Sequence, residues 1–216
     1  MWYPLQVLLV SSTFVEVPES PGLIAQAQAG DHEAFGMLCR IHGQRLVRQA
    51  TLICGDPSWA EDLAQETLFA AWKSRRRFNG RCRYFTWLCA VLLNRYRKGR
   101  RRRRPAAATE FSAHDQDAFT ELLATVPDAA SPPDEAAISL ERIVFLRQCV
   151  DQLSPKHREV IHLRFYVDHS LEGIAAALDC SVGTVKSRLF HALERLRKMN
   201  ASDGPPDENR RPWRTP

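Results

Sequence analysis

The chain has little with which to perform covalent chemistry or to enter a membrane. Its seven histidines are dispersed, no order of Ser, His and Asp suggests an activated nucleophile, and no glycine-rich phosphate loop is present. Six cysteines (Cys39, Cys54, Cys82, Cys89, Cys149 and Cys180) form no CxxC pair and no Cys/His cluster at zinc-ligand spacing, so reduced thiols in a cytoplasm are expected. Most, such as Cys89 and Cys149, lie within apolar helical segments and suit small core positions. No catalytic residue, metal ligand, cofactor or small-molecule substrate is therefore expected. Residues 1–10 are apolar and uncharged, but they lack a basic n-region and a clear cleavage site and are too short to span a bilayer. Residues 1–21 read as a disordered extension or as the product of a start codon assigned too far upstream. No later run approaches membrane-spanning length, which predicts a soluble protein. Alternating runs long enough for a convincing strand are also missing, so the expected class is all-α.

What the chain does have is two apolar, helix-patterned blocks. The 216 residues suit two small domains of roughly 70 to 100 residues better than one large one. The blocks, residues 23–98 and 137–199, flank a stretch rich in Pro, Ala, Ser and Asp that reads as a flexible linker. The expected boundaries are an extension at 1–21, a first domain at 22–104, a linker at 105–136, a second domain at 137–199 and a disordered tail at 200–216. The net charge of +5 is moderate, but its distribution is not: Arg95, Arg97, Lys98 and the run Arg100 to Arg104 crowd together, while charged residues between 110 and 135 are mostly acidic. Such a run suits a polyanionic partner or a solvated face.

In the first block, Leu23, Ile24, Ala27, Ala34, Phe35, Leu38, Ile41, Leu46, Val47 and Ala50 recur at three- and four-residue steps and predict a packing stripe. A Gly55-Asp56-Pro57-Ser58 break follows. A helix is then expected from Trp59 to about Arg76, with Ser58 and Glu61 as a capping box. On it Leu68, Ala71 and Trp72 mark a buried side, and Asp62, Gln65 and Glu66 a polar one. Phe78-Asn79-Gly80 reads as a loop. The next helix begins near Tyr84 or Phe85, passes through Trp87, Leu88, Val91 and Leu92, and turns basic from Arg95.

In the second block Ile143, Leu146, Val150 and Leu153 form one stripe, and Ser154-Pro155 is a helix start with a capping hydroxyl and proline in the first turn. From Ser170 onward come a short helix to Leu178, a turn at Asp179-Cys180, a capping Ser181 and a second helix carrying Val185, Leu189, Leu193 and Leu196. Two helices joined by a tight turn make a helix-turn-helix, and the small Ala175 to Ala177 side chains suit close crossing. With Val185 and Leu189 inward, Lys186, Ser187, Arg188, Phe190 and His191 are left outward as groups able to read a major groove and its phosphates.

These residues carry a resemblance. Leu153-Ser154-Pro155 with Arg158, Val160 and Leu163, then Ile174-Ala175 and the string Val182 to Leu189, resemble region 4 of a bacterial sigma factor of the extracytoplasmic-function (ECF) group. Gly30-Asp31 with Ala34-Phe35, the string Ala60 to Thr67, Ala71-Trp72, and Phe85 to Leu88 leading to Asn94 resemble region 2 of the same group. The two ordered matches cover residues 23–199. Lys98 stands where family members often have an acidic residue, and Gly173 where a Glu commonly precedes the Ile-Ala pair.

The resemblance implies a region 2 helical bundle and a region 4 helix-turn-helix, together a non-enzymatic subunit that binds core RNA polymerase, recognises minus-10 and minus-35 promoter elements, assists melting and initiates transcription in the cytoplasm. Asp62, Gln65 and Glu66 would grip the clamp helices of the polymerase largest subunit, and the flap of the second subunit is a further expected contact. Asn79, Arg81, Arg83 and Tyr84 would meet the opened downstream element, where bases can stack on aromatic rings. Trp87 suits the core better. Arg95, Arg97 and Lys98 would lie near duplex phosphates. Lys186, Ser187, Arg188, Phe190 and His191 would face the upstream groove, with Thr184 near the backbone. Family members are commonly restrained by an anti-sigma factor, a further expected partner. Two other readings compete: a stand-alone helix-turn-helix regulator that binds DNA as a dimer, and a basic RNA-binding or scaffolding protein that uses the arginine run.

Overall fold

The computed structural model describes residues 20–103, 145–167 and 170–203, with side chains placed for all of these except 101–103 and 202–203. The linker expected at 105–136, residues 1–19 of the extension expected at 1–21, and residues 104, 137–144 (with Ile143 of the expected stripe), 168–169 and 204–216 lie outside the described residues, while Pro21 already begins a helix. Among the described residues every regular element is helical, as the missing strand pattern predicts.

The first module contains α1 (Pro21–Ala29), α2 (His32–Cys54), α3 (Pro57–Ser74), a 3-10 turn (Arg75–Arg77) and α4 (Tyr84–Arg103). Asp31 starts α2, its Oδ1 accepting from the amides of Glu33 at 2.8 Å and Ala34 at 3.1 Å. This satisfies two of the donors that a helix start leaves open. Gly55 ends α2 at φ +80°, a left-handed conformation that costs glycine nothing. The cap of α3 is not Ser58 as expected but Asp56, whose Oδ1 accepts from Trp59 N at 3.0 Å, with Pro57 in the first turn. A proline has no amide to satisfy and its fixed φ is already helical, so the start moves to the residue before it.

Helix α2 packs on α3 and α4, and α1 closes on α2. Leu38, Leu46, Leu63, Phe85, Leu88 and Leu92 are sealed between them. Truncating one such leucine, Leu46 for example, is expected to cost about 2–5 kcal/mol through lost burial and the cavity left behind. Small residues let the helices approach: a Cβ at Gly99 would stand 3.2 Å from Trp59 Cζ2, a tight contact that glycine relieves where α4 passes the indole.

The second module contains α5 (145–151, with residues before it outside the description), α6 (Pro155–Ile161), a π-helical turn (His162–Tyr166), α7 (Leu171–Ala177) and α8 (Val182–Asp203). Ser154 caps α6 as read from sequence, accepting from His157 N at 3.4 Å. Arg158 staples α5 to α6, donating to the carbonyls of Val150 at 3.2 Å, of Leu153 at 3.1 Å and of Asp151. These carbonyls lie where α5 ends, beyond the regular helical ladder, and Val150 O also accepts from Leu153 N at 3.1 Å. Val160, Ile161, Leu163, Ile174, Val185 and Ala192 form the core of this module. Helix α8 runs through Asp203, past residue 200, where the tail was expected to start.

The two modules are distinct in helix content but touch in space. Helix α4 of the first meets α6, the π turn and α7 of the second. Buried apolar residues of both join in one cluster.

Candidate nucleic-acid and partner interfaces

Helix α3 presents Asp62, Gln65 and Glu66 to solvent while Leu63, Ala64 and Thr67 face inward. Thr67 donates to Leu63 O at 2.7 Å, which keeps its buried hydroxyl satisfied. Among the described residues neither carboxylate of the exposed group is tied to a cation. Seven residues after Asp62 the same face carries Phe69, 61% exposed, with the Lys73 ammonium 4.2 Å from its ring centroid. Positions i, i+3, i+4 and i+7 share one side of a helix, so two acids and an amide share a face with an aromatic ring at its C-terminal end. A large apolar group within a polar rim is the usual composition of a binding hot spot. The sequence reading assigned the polar residues and passed over Phe69, although helical spacing alone placed it on their face.

At the far end of α3 the chain turns through Arg75–Arg77 into the Phe78–Gly80 loop. Gln28 of α1 holds this turn from behind, its Nε2 donating to Arg75 O at 3.2 Å and Phe78 O at 2.6 Å. Arg75 lies over Trp72, its guanidinium carbon 4.1 Å from the ring centroid, and donates to Trp72 O. Asn79 Oδ1 accepts from Arg81 N at 3.1 Å, and Gly80 takes φ +73°. This Asx turn leaves Asn79, Arg81 and Arg83 exposed. Arg76 and Arg77 are exposed beside them, a second arginine run that the sequence reading did not use.

Tyr84 is the correction at this end. It is only 3% exposed, its ring packed 5.2 Å from Phe78, 5.4 Å from Trp87 and 5.7 Å from His42. It begins α4 just where the helix enters the core, so its ring supports the loop and has no face open to a base. Trp87, expected in the core, is half-buried in the same aromatic group, and Phe85 is buried under the Arg45 guanidinium at 4.0 Å. Further along α4, Lys98 is exposed and Arg95 and Arg97 are half-buried.

The helix-turn-helix forms as read. Ser170 caps α7, accepting from Gly173 N at 3.1 Å. The turn places Asp179 at φ +50°, with the Cys180 amide bonded to Ala175 O at 3.0 Å. Ser181 caps α8, accepting from Thr184 N at 3.1 Å, and its hydroxyl lies 2.9 Å from Thr184 Oγ1. Thr184 thus spends its hydroxyl on the local cap. Val185 and Leu189 point into the core, and Lys186, Ser187, Phe190 and His191 are exposed on the opposite side, Phe190 by 64%. Arg188 is half-buried beside Glu159. The His191 ring stacks on His157 at 6.4 Å, and burial is the main cause holding the His157 pKa below its ordinary value, with the charges of His191 and Arg188 adding to it. Among the described residues no cluster of His, Cys, Asp and Glu could hold a metal. No helix there is long and apolar enough to cross a membrane.

Two helical modules in one chain, one with a free acidic face and a basic end, the other with a basic reading helix, also match known proteins in that order. The family pattern described as Sigma-70 region 2 matches residues 38–105, and that described as Sigma-70, region 4 matches residues 149–198. The RNA polymerase sigma-H factor of Pseudomonas aeruginosa is 30% identical over 178 residues, covering 82% of this chain and 91% of that protein. This chain belongs to the ECF sigma factors. The ECF RNA polymerase sigma factor SigW of Bacillus subtilis is 30% identical over 82% of this chain and 94% of its own length. SigL of Mycobacterium tuberculosis is 32% identical, covering 81% and 93%. Among solved structures, CnrH in complex with the cytosolic domain of CnrY matches with a TM-score of 0.55 and 28% identity, over 84% of this chain and 96% of that one. The sigma factor is thus a promoter-recognising subunit of RNA polymerase, in a family that is not a class of enzymes, and the stand-alone regulator is not favoured.

Proposed function

We propose that the exposed face of α3 is the main handle for core polymerase, and that the two basic surfaces divide the promoter between them. Asp62, Gln65 and Glu66, with Phe69 on the same face, would seat against the clamp helices of the largest subunit. Carboxylates and an amide pair well with basic side chains across a helix contact. Asn79, Arg81 and Arg83, joined by Arg76 and Arg77, would follow an opened strand at the downstream element, with the half-buried Trp87 as the aromatic surface nearest to it. Arg95, Arg97 and Lys98 would lie along duplex phosphates and supply salt-dependent affinity. Lys186, Ser187, Arg188, Phe190 and His191 of α8 would enter the upstream major groove, Arg188 being the side chain best suited to guanine and Phe190 to a thymine methyl. Thr184 acts here by fixing the helix start. The catalytic chemistry belongs to the polymerase, and the site of action is the cytoplasm. A restraining protein partner fits the same reading, as CnrH is solved with the cytosolic domain of CnrY.

The observation that carries this reading is the α3 face: acidic, with Asp62 and Glu66 in no ion pair among the described residues, and ending on an exposed aromatic ring. Replacing Asp62→Arg and Glu66→Arg together reverses its charge without touching the core. The expected result is loss of core polymerase binding with unchanged helical content and melting. Unaltered polymerase affinity in the double variant removes this interface.

A further inference from the structure

Helix α8 is longer than the groove it would read. His191 lies nine residues beyond Val182, about 13 Å along the helix at 1.5 Å per residue, and the major groove is about 12 Å wide. A reading helix touches base edges with its N-terminal residues, so at His191 the same face has come to the rim of the groove, where sugar and phosphate pass. Ser187, His191, Arg195 and Lys198 continue that face at helical spacing.

At this point an open cleft of about 450 Å³ lies between α8 and the start of α6. Gln152, Ser154 and His157 line one wall, and His191, Arg195 and Lys198 the other. The imidazoles of His157 and His191 are near-parallel, at 25°, with centroids 6.4 Å apart. A charge-assisted hydrogen bond to an anionic oxygen is about 2.8 Å long, so the two rings are spaced to reach one phosphate group from opposite sides. Ser154 Oγ accepts from His157 N, which leaves its own O–H to donate to the same group. The carboxylate on this cleft, Glu194, is held by Lys198 Nζ at 3.0 Å and lies 3.9 Å from His191 Nδ1. On the α6 side Glu159 is drawn to Arg97 of α4 at 3.3 Å, Arg158 to Asp151 of α5 at 3.5 Å, and Lys156 is exposed. The charges that bear on His157 itself are those of His191 and Arg188.

We infer that this cleft seats one backbone phosphate of the upstream duplex between His157 and His191, which makes His157 a DNA-contacting residue of the second module. The inference rests on the reading of α8 as the upstream DNA helix. It couples binding to pH. Burial first, then the charges of His191 and Arg188, disfavour the charged form of His157. A phosphate beside the ring supplies the opposite charge and draws a proton from solvent onto it. Affinity therefore rises as pH falls, by at most about tenfold per pH unit for one proton taken up.

Phosphate contacts carry no sequence information, so a rhodamine-labelled 30-base-pair mixed-sequence duplex, titrated with the full chain at constant salt and followed by fluorescence anisotropy, is a sufficient probe. Between pH 8.0 and pH 6.0 wild type is expected to gain at least about fivefold more affinity than His157→Gln. His157→Lys places a fixed charge at the same point and should bind at least about threefold tighter than wild type at pH 8.0, a gain that an unfolded variant could not give. Equal gains for wild type and His157→Gln, or equal binding of wild type and His157→Lys at pH 8.0, overturn the phosphate seat. Lys186→Ala tests the underlying reading separately: it should weaken binding at both pH values, and unchanged binding removes α8 as the DNA helix and the seat with it.

Discussion

Phe69 offers the sharpest test of how the sigma factor holds polymerase. A phenylalanine presents about 150–250 Å² of surface, and at 61% exposure roughly 90–150 Å² of it remains to be covered by a partner. At about 25 cal/mol per Å² this is worth about 2–4 kcal/mol. Ordering of side chains at the interface consumes part of that gain. The expected cost of Phe69→Ala is therefore about 1–3 kcal/mol, or roughly a 5- to 150-fold rise in Kd for core enzyme. The substitution removes nothing from the core, since Leu63, Ala64, Thr67, Ala70 and Ala71 carry the packing of α3. Melting temperature should then change little, as surface positions usually shift stability by no more than about 0.5 kcal/mol. The assay is equilibrium binding of a fluorescently labelled chain to purified core polymerase, with thermal unfolding followed by circular dichroism. Phe69→Leu should retain most of the affinity, because the contribution is apolar area. A Kd for Phe69→Ala within twofold of wild type refutes the argument that the ring is an anchor.

Two further outcomes are expected from buried titratable groups. Burial pushes the His162 pKa down to about 3, so its neutral form is the folded one; stability is fully present above the unfolded value near 6.5 and falls as pH drops toward 3. Urea unfolding at pH 7.5 and pH 5.0 should show wild type losing about 2 kcal/mol relative to His162→Phe over that interval, and parallel curves would contradict it. Burial also raises the thiols of Cys54 to about 11 and Cys89 to about 12. Both should therefore resist iodoacetamide at pH 7.5 until the chain is denatured, since the thiolate is the reacting species; rapid labelling of native protein at either position counts against the packing described.

How much could be read from residues alone depended on whether a signal was local. The Ser154 and Ser170 caps, the Ser181 start of α8 and the inward Val185 and Leu189 follow from spacing and short-range hydrogen bonding, and the structure has them as read. Asp56 displaced Ser58 at the start of α3 because two cap formers flank a proline, and the outcome turns on which side chain reaches Trp59 N. Tyr84 misled because an aromatic beside arginines carries the same local signature whether it stacks on a base or on Phe78 and Trp87. Only the tertiary placement of His42 and Phe78 around it decides the matter. Glu159 illustrates the strongest limit. It lies 62 positions from Arg97, on a different module, and nothing in its immediate neighbours marks it as the counter-charge for the basic end of α4. A sequence can thus declare each surface of the sigma factor separately, because each surface is one helix face. Whether those surfaces are open to their partners is a property of how the modules meet, and that is written only in long-range contacts such as Arg97 with Glu159 and Gln49 with Tyr166.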